Sequence, residues 1–498
     1  MSDWQEQDAL DFTTDGAYMG QSVSINANGT VCAVGSALCN TNDGRCVIYE
    51  YNNASWVQKG NVLNGGTGEK FGFSISLNAT GNIIAIGSTE FSSTTNTDCG
   101  KCDVYEYNAG TNQWSSKGSA IEGSTASEHF GDSVSINNDG TVVAIGAPNW
   151  SSNKGRFEVH EFSSNAWSLK GTEQQFTTND AQMGSVVSIN GGGTIVTVSV
   201  ANITTSQGRL LIYTYSSNAW STPVEINGDQ NNSYFTSSIA ISDNGSVIAV
   251  GSPYYDTNIG SDSGMCRVYE NTAGSWAQKG SDIVGTDAGD LFGCSVSINS
   301  DGTIVCIGAI YGGTSRAGEC KIYEFDSGWQ SRVTINGANA NDTLGYSVSI
   351  NDDGTVAVIG VSGFDNNGTN RGQCIIYHDD DNVSAIAGDN QNIKGNSTVT
   401  LTGNSLSTNA SSYAWASNPS VTITNNNNRV ATFTAPNTSG DIVCTLTVTT
   451  STQETATDTV TITVDPLPEA NAGTLQNVNG GVTVQLDGSG TTNATTYG

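Results

Sequence analysis

Residues 130–148 read FGDSVSINNDGTVVAIGAP. Two short runs within this stretch, Ser133-Val134-Ser135-Ile136 and Thr141-Val142-Val143-Ala144-Ile145, carry a small/apolar period of two. Between them, Asn138-Asp139-Gly140 supplies the glycine that a tight hairpin needs at positive φ. The stretch therefore predicts a β-hairpin. Earlier copies are MGQSVSINANGTVCAVGS from Met19 and FGFSISLNATGNIIAIGS from Phe71, and later ones begin at Met183, Phe235, Phe292 and Leu344. The second positions of the seven copies are Gly20, Gly72, Gly131, Gly184, Thr236, Gly293 and Gly345, spaced 52 to 59 residues apart. A steady period of this length, made of strands, signals radial or stacked repetition rather than a layered domain.

Each hairpin is followed by a variable loop and a third strand opened by glycine, such as GRCVIYEY at Gly44, GKCDVYEY at Gly100 and GECKIYEF at Gly318. A fourth strand is marked by Trp56, Trp114, Trp167, Trp220, Trp276 and Trp329. Four antiparallel strands per repeat is the content of one propeller blade. The seventh repeat ends after Tyr377 without a tryptophan, whereas Trp4-Gln5-Glu6-Gln7 precedes the first hairpin. The expected fold is an all-β, seven-bladed β-propeller over residues 1–380, closed by the N-terminal strand so that no sheet edge stays open.

These repeats resemble the FG-GAP family, the blades of integrin α-subunit propellers and of many bacterial and viral surface proteins. The matching residues are Phe71-Gly72, Phe130-Gly131 and Phe292-Gly293, together with Gly146-Ala147-Pro148 and the similar Gly251-Ser252-Pro253. Calcium-binding members of that family carry a long DxDxDG-type loop between the first two strands. Here that loop is a tight turn with too few oxygen ligands for a six- to eight-coordinate ion, so no family-style calcium site, and no other cofactor, is expected.

From about residue 382 the chain turns Thr/Val-rich with strict alternation, as in Thr459-Val460-Thr461-Ile462-Thr463-Val464. Val399-Thr400-Leu401-Thr402-Gly403, Tyr413-Ala414-Trp415 and Leu446-Thr447-Val448 resemble a PKD-type immunoglobulin-like β-sandwich over residues 381–465, with Trp415 in its core. The pattern restarts at Ala472-Gly473 and Val484-Gln485-Leu486-Asp487-Gly488. Residues 466–498 thus read as the start of a second such domain, with further immunoglobulin-like domains expected C-terminal to Gly498.

The charge balance narrows the function. With 17 basic and 47 acidic side chains, a net charge of −30, the chain lacks the basic face that nucleic acid requires. No window approaches the roughly 18 consecutive apolar residues of a membrane helix, so no membrane insertion is expected. The start, MSDWQEQDAL, has neither the basic region nor the apolar core of a secretory signal. Of eleven cysteines, Cys46, Cys102, Cys266, Cys320 and Cys374 occupy one repeat position, filled by Phe157 and Leu210 in two other repeats. That position is apolar, and cysteine serves there as a small hydrophobe. Equivalent sites in adjacent repeats stand more than about 10 Å apart, beyond the ~7 Å Cα limit for a disulfide, which predicts free buried thiols. Cys99-Gly-Lys-Cys102 is a lone CxxC without the second pair of a structural zinc site.

No nucleophile elbow, P-loop, zinc helix or dinucleotide fingerprint occurs. His129, His160 and His378 fall in three different repeats and read as packed or hydrogen-bonded rings. Glu128, Asp287 and Asp290 precede Phe-Gly pairs in loops of one face, where a glycosidase would place paired carboxylates. The run Asp256-Thr257-Asn258-Ile259-Gly260-Ser261-Asp262 offers alternating oxygens for one cation but also suits a solvated turn. The stronger signal is aromatic: loops of this same face hold Phe91, Trp150, Tyr254, Tyr255, Tyr311 and Phe364, a candidate rim for binding sugar or protein. The expectation is a non-enzymatic adhesion or receptor-binding protein, extracellular or on a virion surface, with a host-surface glycan or protein as partner. The alternatives are a polysaccharide-active hydrolase or lyase and an architectural particle protein.

Overall fold

The computed structural model describes the chain except residues 1–3, 13–15, 53–54, 204, 366–369, 380–384, 389, 406–409, 451–454 and 468–498. It divides into two compact units, Met1–Asp379 and Asp380–Gly498. Among the described residues the first unit consists of seven antiparallel sheets of four or five strands, a propeller-like repetition. In the third, Val134–Ile136, Val142–Ala147, Arg156–Ser163 and Ala166–Leu169 follow one another across the sheet. The seventh joins Leu344–Ile350, Val356–Val361 and Gln373–Asp379 to the N-terminal strand Trp4–Asp11, which pairs antiparallel with Gln373–Asp379.

The hairpin turn owes its form to an asparagine. Asn137 Oδ1 accepts the backbone N–H groups of Thr141 and Val142 at 2.9 and 2.8 Å, while Gly140 holds φ 71°. The asparagine side chain thus satisfies two amides that the turn leaves without strand partners. At the other end of the strand the Phe-Gly pair does two jobs. Phe130 is fully buried between sheets, where truncation to alanine would cost about 3–5 kcal/mol. Gly131 has φ 92°, and a Cβ there would lie 2.3 Å from the Lys101 carbonyl oxygen of the preceding sheet. Only glycine fits both the dihedral and the space.

The cores lie between consecutive sheets. Val31, Ala33, Cys46 and Ile48 of the first sheet, for example, meet Phe71, Ile75, Ile84 and Ile86 of the second. Cys46, Cys102, Cys266, Cys320 and Cys374 are all fully buried in these layers, as are Phe157 and Leu210 at the equivalent sites. All eleven cysteines are free, and burial pushes the Cys46 and Cys102 thiols well above their ordinary pKa.

The serines of the SVSI pattern stitch one sheet to the next. Ser22, Ser74, Ser238 and Ser295 each donate their hydroxyl to a glycine carbonyl of the following sheet, and Ser347 donates to Gly20 of the first sheet at 2.8 Å. A backbone circuit runs around the turn end of the innermost strands. Ala27 N donates to Ala79 O, and the series continues through Asn138, Gly191, Asp243, Ser300 and Asp352, whose own N–H donates to Ala27 O at 3.0 Å. Each member donates one bond and accepts one, so no amide of this inner rim is orphaned.

In the second unit, Gln391–Lys394, Thr455–Asp465, Gly440–Thr450 and Ala410–Asn418 form a four-stranded sheet, and Thr398–Thr402 pairs with Val430–Thr434. Trp415 is 3% exposed and packs with Val399, Leu401, Phe433, Cys444 and Leu446, the core position expected of it. The second sandwich expected at 466–498 falls, apart from its first two residues, outside the described residues.

Candidate functional site

Every innermost strand enters from the end of its sheet that carries the Phe-Gly pair. The loops between second and third strands, and those leading to the next sheet, open at this same end. Among the described residues all five exposed aromatic rings belong to it: Phe73, Tyr234, Tyr254, Tyr311 and Tyr346. Tyr234 and Tyr254 pack against each other with centroids 5.3 Å apart, and the Arg316 guanidinium lies 5.3 Å over Tyr311.

Of the six aromatics read from the sequence as a rim, Tyr254 and Tyr311 are exposed, whereas Phe91, Trp150, Tyr255 and Phe364 are half-buried. Phe91 is covered by Lys101, whose Nζ stands 4.3 Å from the ring centroid. Tyr255 packs on the core between the fourth and fifth sheets, and Phe364 on that between the sixth and seventh. Lys101 over Phe91, and the between-sheet cores under Tyr255 and Phe364, withdraw these three rings from solvent. Three of the exposed rings, Phe73, Tyr234 and Tyr346, were outside the expected set.

Phe73 and Tyr346 belong to a register position. The residue after the Phe-Gly pair is Gln21, Phe73, Asp132, Ser185, Ser237, Cys294 and Tyr346 in the seven repeats. Gln21, Phe73, Ser237, Cys294 and Tyr346 line a common cavity of about 360 Å³ at the Phe-Gly end of the innermost strands. A second cavity, about 280 Å³, opens at the turn end and is lined by Asn138, Asp243 and Asp352. Burial, with the nearby Asp243 and Asp353 charges, raises the Asp352 carboxyl to about 6. Burial alone raises Asp132 to about 7.

The loops of the Phe-Gly end also hold unusual backbone. Asn40, Thr41 and Asn42 are consecutive left-handed residues, as are Ser151, Ser152 and Asn153, and Ser315 with Arg316. Such residues cost about 1–2 kcal/mol each and concentrate where loops carry function.

Of the carboxylates considered for hydrolysis, Glu128 and Asp290 have structural partners. Glu128 is fully buried and accepts from Arg156 Nε at 2.9 Å and from the Thr125 amide at 2.8 Å. Arg156, itself 1% exposed, also pairs with Glu158 and Glu173. Asp290 accepts the amides of Thr286 and Asp287, capping its own loop, and Asp287 is exposed. His160 Nε2 stands 2.7 Å from Glu158, His129 Nδ1 3.1 Å from Asn149, and His378 is buried. In the loop 256–262, Asp256 Oδ1 accepts the Asp262 amide at 2.9 Å. Cys99 Sγ lies 3.5 Å from the Phe91 carbonyl oxygen and Cys102 Sγ 4.0 Å from that of Asp103. No group of three or more His, Cys, Asp or Glu side chains suited to a metal occurs among the described residues.

Fold and face together define a class: an all-β chain of repeated antiparallel sheets, propeller-like, joined to an immunoglobulin-like domain. Residues 387–464 match a PKD domain family, and PKD domains are typical of extracellular proteins. Among solved structures, the hydrazine synthase of Kuenenia stuttgartiensis is similar over 70% of this chain and 93% of its own, with 10% identity and a TM-score of 0.48. No curated protein matches the chain. Among the described residues no helix is long and apolar enough to cross a membrane.

Proposed function

We propose that this chain is a non-enzymatic adhesion or receptor-binding protein, displayed outside a cell or on a virus particle, that binds host-surface glycan or protein through the Phe-Gly face. The observation that carries this reading is the placement, among the described residues, of all five exposed aromatic rings at one end of the repeats. Aromatic rings left in water at one face offer large contact area at small entropic cost on binding. The left-handed loops of that face and the match of residues 387–464 to a PKD domain, a spacer module in this reading, agree with it.

The reading includes a finer fold. The seven sheets are the blades of an FG-GAP-type propeller closed by the N-terminal strand. Its support is the backbone circuit that returns from Asp352 to Ala27, the Ser347 bond to Gly20, and the pairing of Trp4–Asp11 with Gln373–Asp379.

The test is binding of the fluorescently labelled chain to a panel of candidate host cells and to arrayed glycans and surface proteins. Saturable binding that is lost when Phe73, Tyr234, Tyr254, Tyr311 and Tyr346 are all replaced by alanine is the expected result. Absence of binding from a folded protein, or binding indifferent to that variant, would overturn it.

A further inference from the structure

We propose that the cavity at the Phe-Gly end of the innermost strands is a binding site for a neutral saccharide residue, held between Phe73 and Tyr346 and hydrogen-bonded by Gln21. The inference rests on the reading of this face as a binding surface and names its ligand class and its residues.

The arrangement follows from the repeat. Tyr346, Gln21 and Phe73 occupy the same register position in the seventh, first and second repeats, and the Ser347–Gly20 and Ser22–Gly72 bonds join those sheets as neighbours. Two rings therefore flank one amide at a single cavity mouth. Both rings are 43% exposed, a state that leaves an aromatic surface in water without a protein partner. Gln21 Oε1 is held by the Ala37 amide at 3.1 Å, which fixes the side chain, and its Nε2 has no partner among the described residues.

The chemistry of the lining selects the ligand. Ser22, Ser74, Ser238, Ser295 and Ser347 donate their protons to backbone carbonyls of the neighbouring sheets, so these protons are not offered to a ligand. The Nε2 donor of Gln21 suits a hydroxyl oxygen of a ligand. No charged side chain lines the cavity, so neither an anionic nor a cationic group is offered a counter-ion there. With a net charge of −30, the chain as a whole repels acidic sugars. The cavity volume, about 360 Å³, falls in the small-ligand range of roughly 300–1,000 Å³. A neutral pyranose, with hydroxyls on its rim and a flat C–H face for an aromatic ring, meets every one of these conditions.

The experiment applies the whole chain to an array of neutral and acidic glycans, then titrates the best neutral glycan by calorimetry. Phe73→Ala and Tyr346→Ala should each weaken binding by about tenfold or more. Tyr346→Phe should retain most of it, and Val57→Ala with Leu169→Ala, exposed on the fourth strands of their sheets, should leave it unchanged. All these positions are exposed, and an unchanged melting temperature verifies that each variant folds. Binding of acidic glycans alone, or neutral-glycan binding that survives Phe73→Ala and Tyr346→Ala, would overturn the site. Binding to cells without binding to any neutral glycan would overturn this inference and leave the adhesive reading standing, whereas binding to neither would end both.

Discussion

The indole Nε1 of Trp167 donates to the carbonyl oxygen of Lys117 at 2.7 Å, across the boundary between the second and third sheets. The same lysine places its Nζ 4.6 Å over the ring of Phe162 and 3.1 Å from Glu106 of its own sheet. The arrangement recurs: Trp114 bonds Lys59, Trp220 bonds Lys170 and Trp329 bonds Lys279. Trp56 of the first sheet instead bonds Gln7 Oε1 of the N-terminal strand at 2.9 Å. Trp167→Phe keeps the packing and removes the donor, so it should destabilise the chain by about 1–2 kcal/mol in urea unfolding. Lys117→Met should cost less, about 0.5–1 kcal/mol, because Glu106 is half-exposed and solvent screens the pair from that side. An unfolding midpoint unmoved by Trp167→Phe would mean the bond contributes nothing between sheets.

Removing residues 1–11 tests the role of the N-terminal strand. The deletion strips Trp4 and Leu10, which are 7% and 8% exposed, and leaves Gln373–Asp379 as an open edge. Burial of those two side chains alone implies a loss of about 3 kcal/mol or more. The melting temperature should fall, and light scattering should reveal edge-to-edge association. A synthetic peptide of residues 1–12 should reverse both effects. A truncated chain that stays monomeric with an unchanged melting temperature would refute the closure proposed for the ring.

Much of the frame was legible because it repeats. The Phe-Gly pair, the hairpin turn and the buried cysteine position all recur once per repeat, 52 to 59 residues apart, and local patterns determine strands and turns. The role of Lys59, Lys117, Lys170 and Lys279 was not legible, since the tryptophan that Lys117 engages lies 50 residues further on, in another sheet. The serines of SVSI read only as small residues for the same reason: their partners are in the next repeat. The rim was half legible. Residue type placed Tyr254 and Tyr311 in the correct loops, but whether a ring stays in water depends on how its loop closes, as Phe91 under Lys101 illustrates. The position of Phe73 and Tyr346 held a usable signal, one residue of varying type directly after a pair that is a large apolar residue and then glycine in six of the seven repeats.

Thr236 stands where six repeats have glycine, and it keeps the left-handed φ of 80°. Its Oγ1 lies 3.5 Å from the Arg209 carbonyl oxygen, the counterpart of the Lys101 carbonyl that crowds Gly131. A β-branched residue in that region stores about 1–3 kcal/mol of strain, part of which offsets the extra chain entropy of glycine. Thr236→Gly should therefore stabilise the chain by about 1 kcal/mol, seen as a higher melting temperature. Gly131→Thr should do the opposite and cost more, because its Cβ would lie 2.3 Å from the Lys101 carbonyl oxygen and the backbone would have to shift.

Two carboxyls make stability depend on pH. Burial and the neighbouring Asp243 raise Asp352 to about 6, and burial raises Asp132 to about 7. Their folded values lie above the unfolded carboxyl value of roughly 3.9, so protonation favours the folded chain. This contribution is complete below the unfolded value and is lost as pH rises through about 6 for Asp352 and about 7 for Asp132. Asp352→Asn and Asp132→Asn should each raise stability at pH 8.5 by about 1 kcal/mol, after discounting for partial solvent contact, with little change at pH 4. Equal effects at both pH values would assign the gain to packing instead of ionisation.

Cys294 is the one cysteine of eleven that is not buried, and it lines the cavity of the Phe-Gly end. Burial still raises its thiol to about 11, and its Sγ lies 3.7 Å from the Gly345 carbonyl oxygen. Since the thiolate is the reactive form, the native chain should show a single slow thiol toward a maleimide, its rate rising about tenfold per pH unit between 7 and 9. Denaturation in guanidinium should release all eleven. Because Cys294 shares the cavity with Phe73 and Tyr346, a saturating neutral glycan should slow its alkylation without affecting the count in denaturant. Peptide mapping that located the reactive thiol elsewhere would show that the cavity does not admit a reagent of this size. A glycan that bound without protecting Cys294 would place its own site away from the innermost strands.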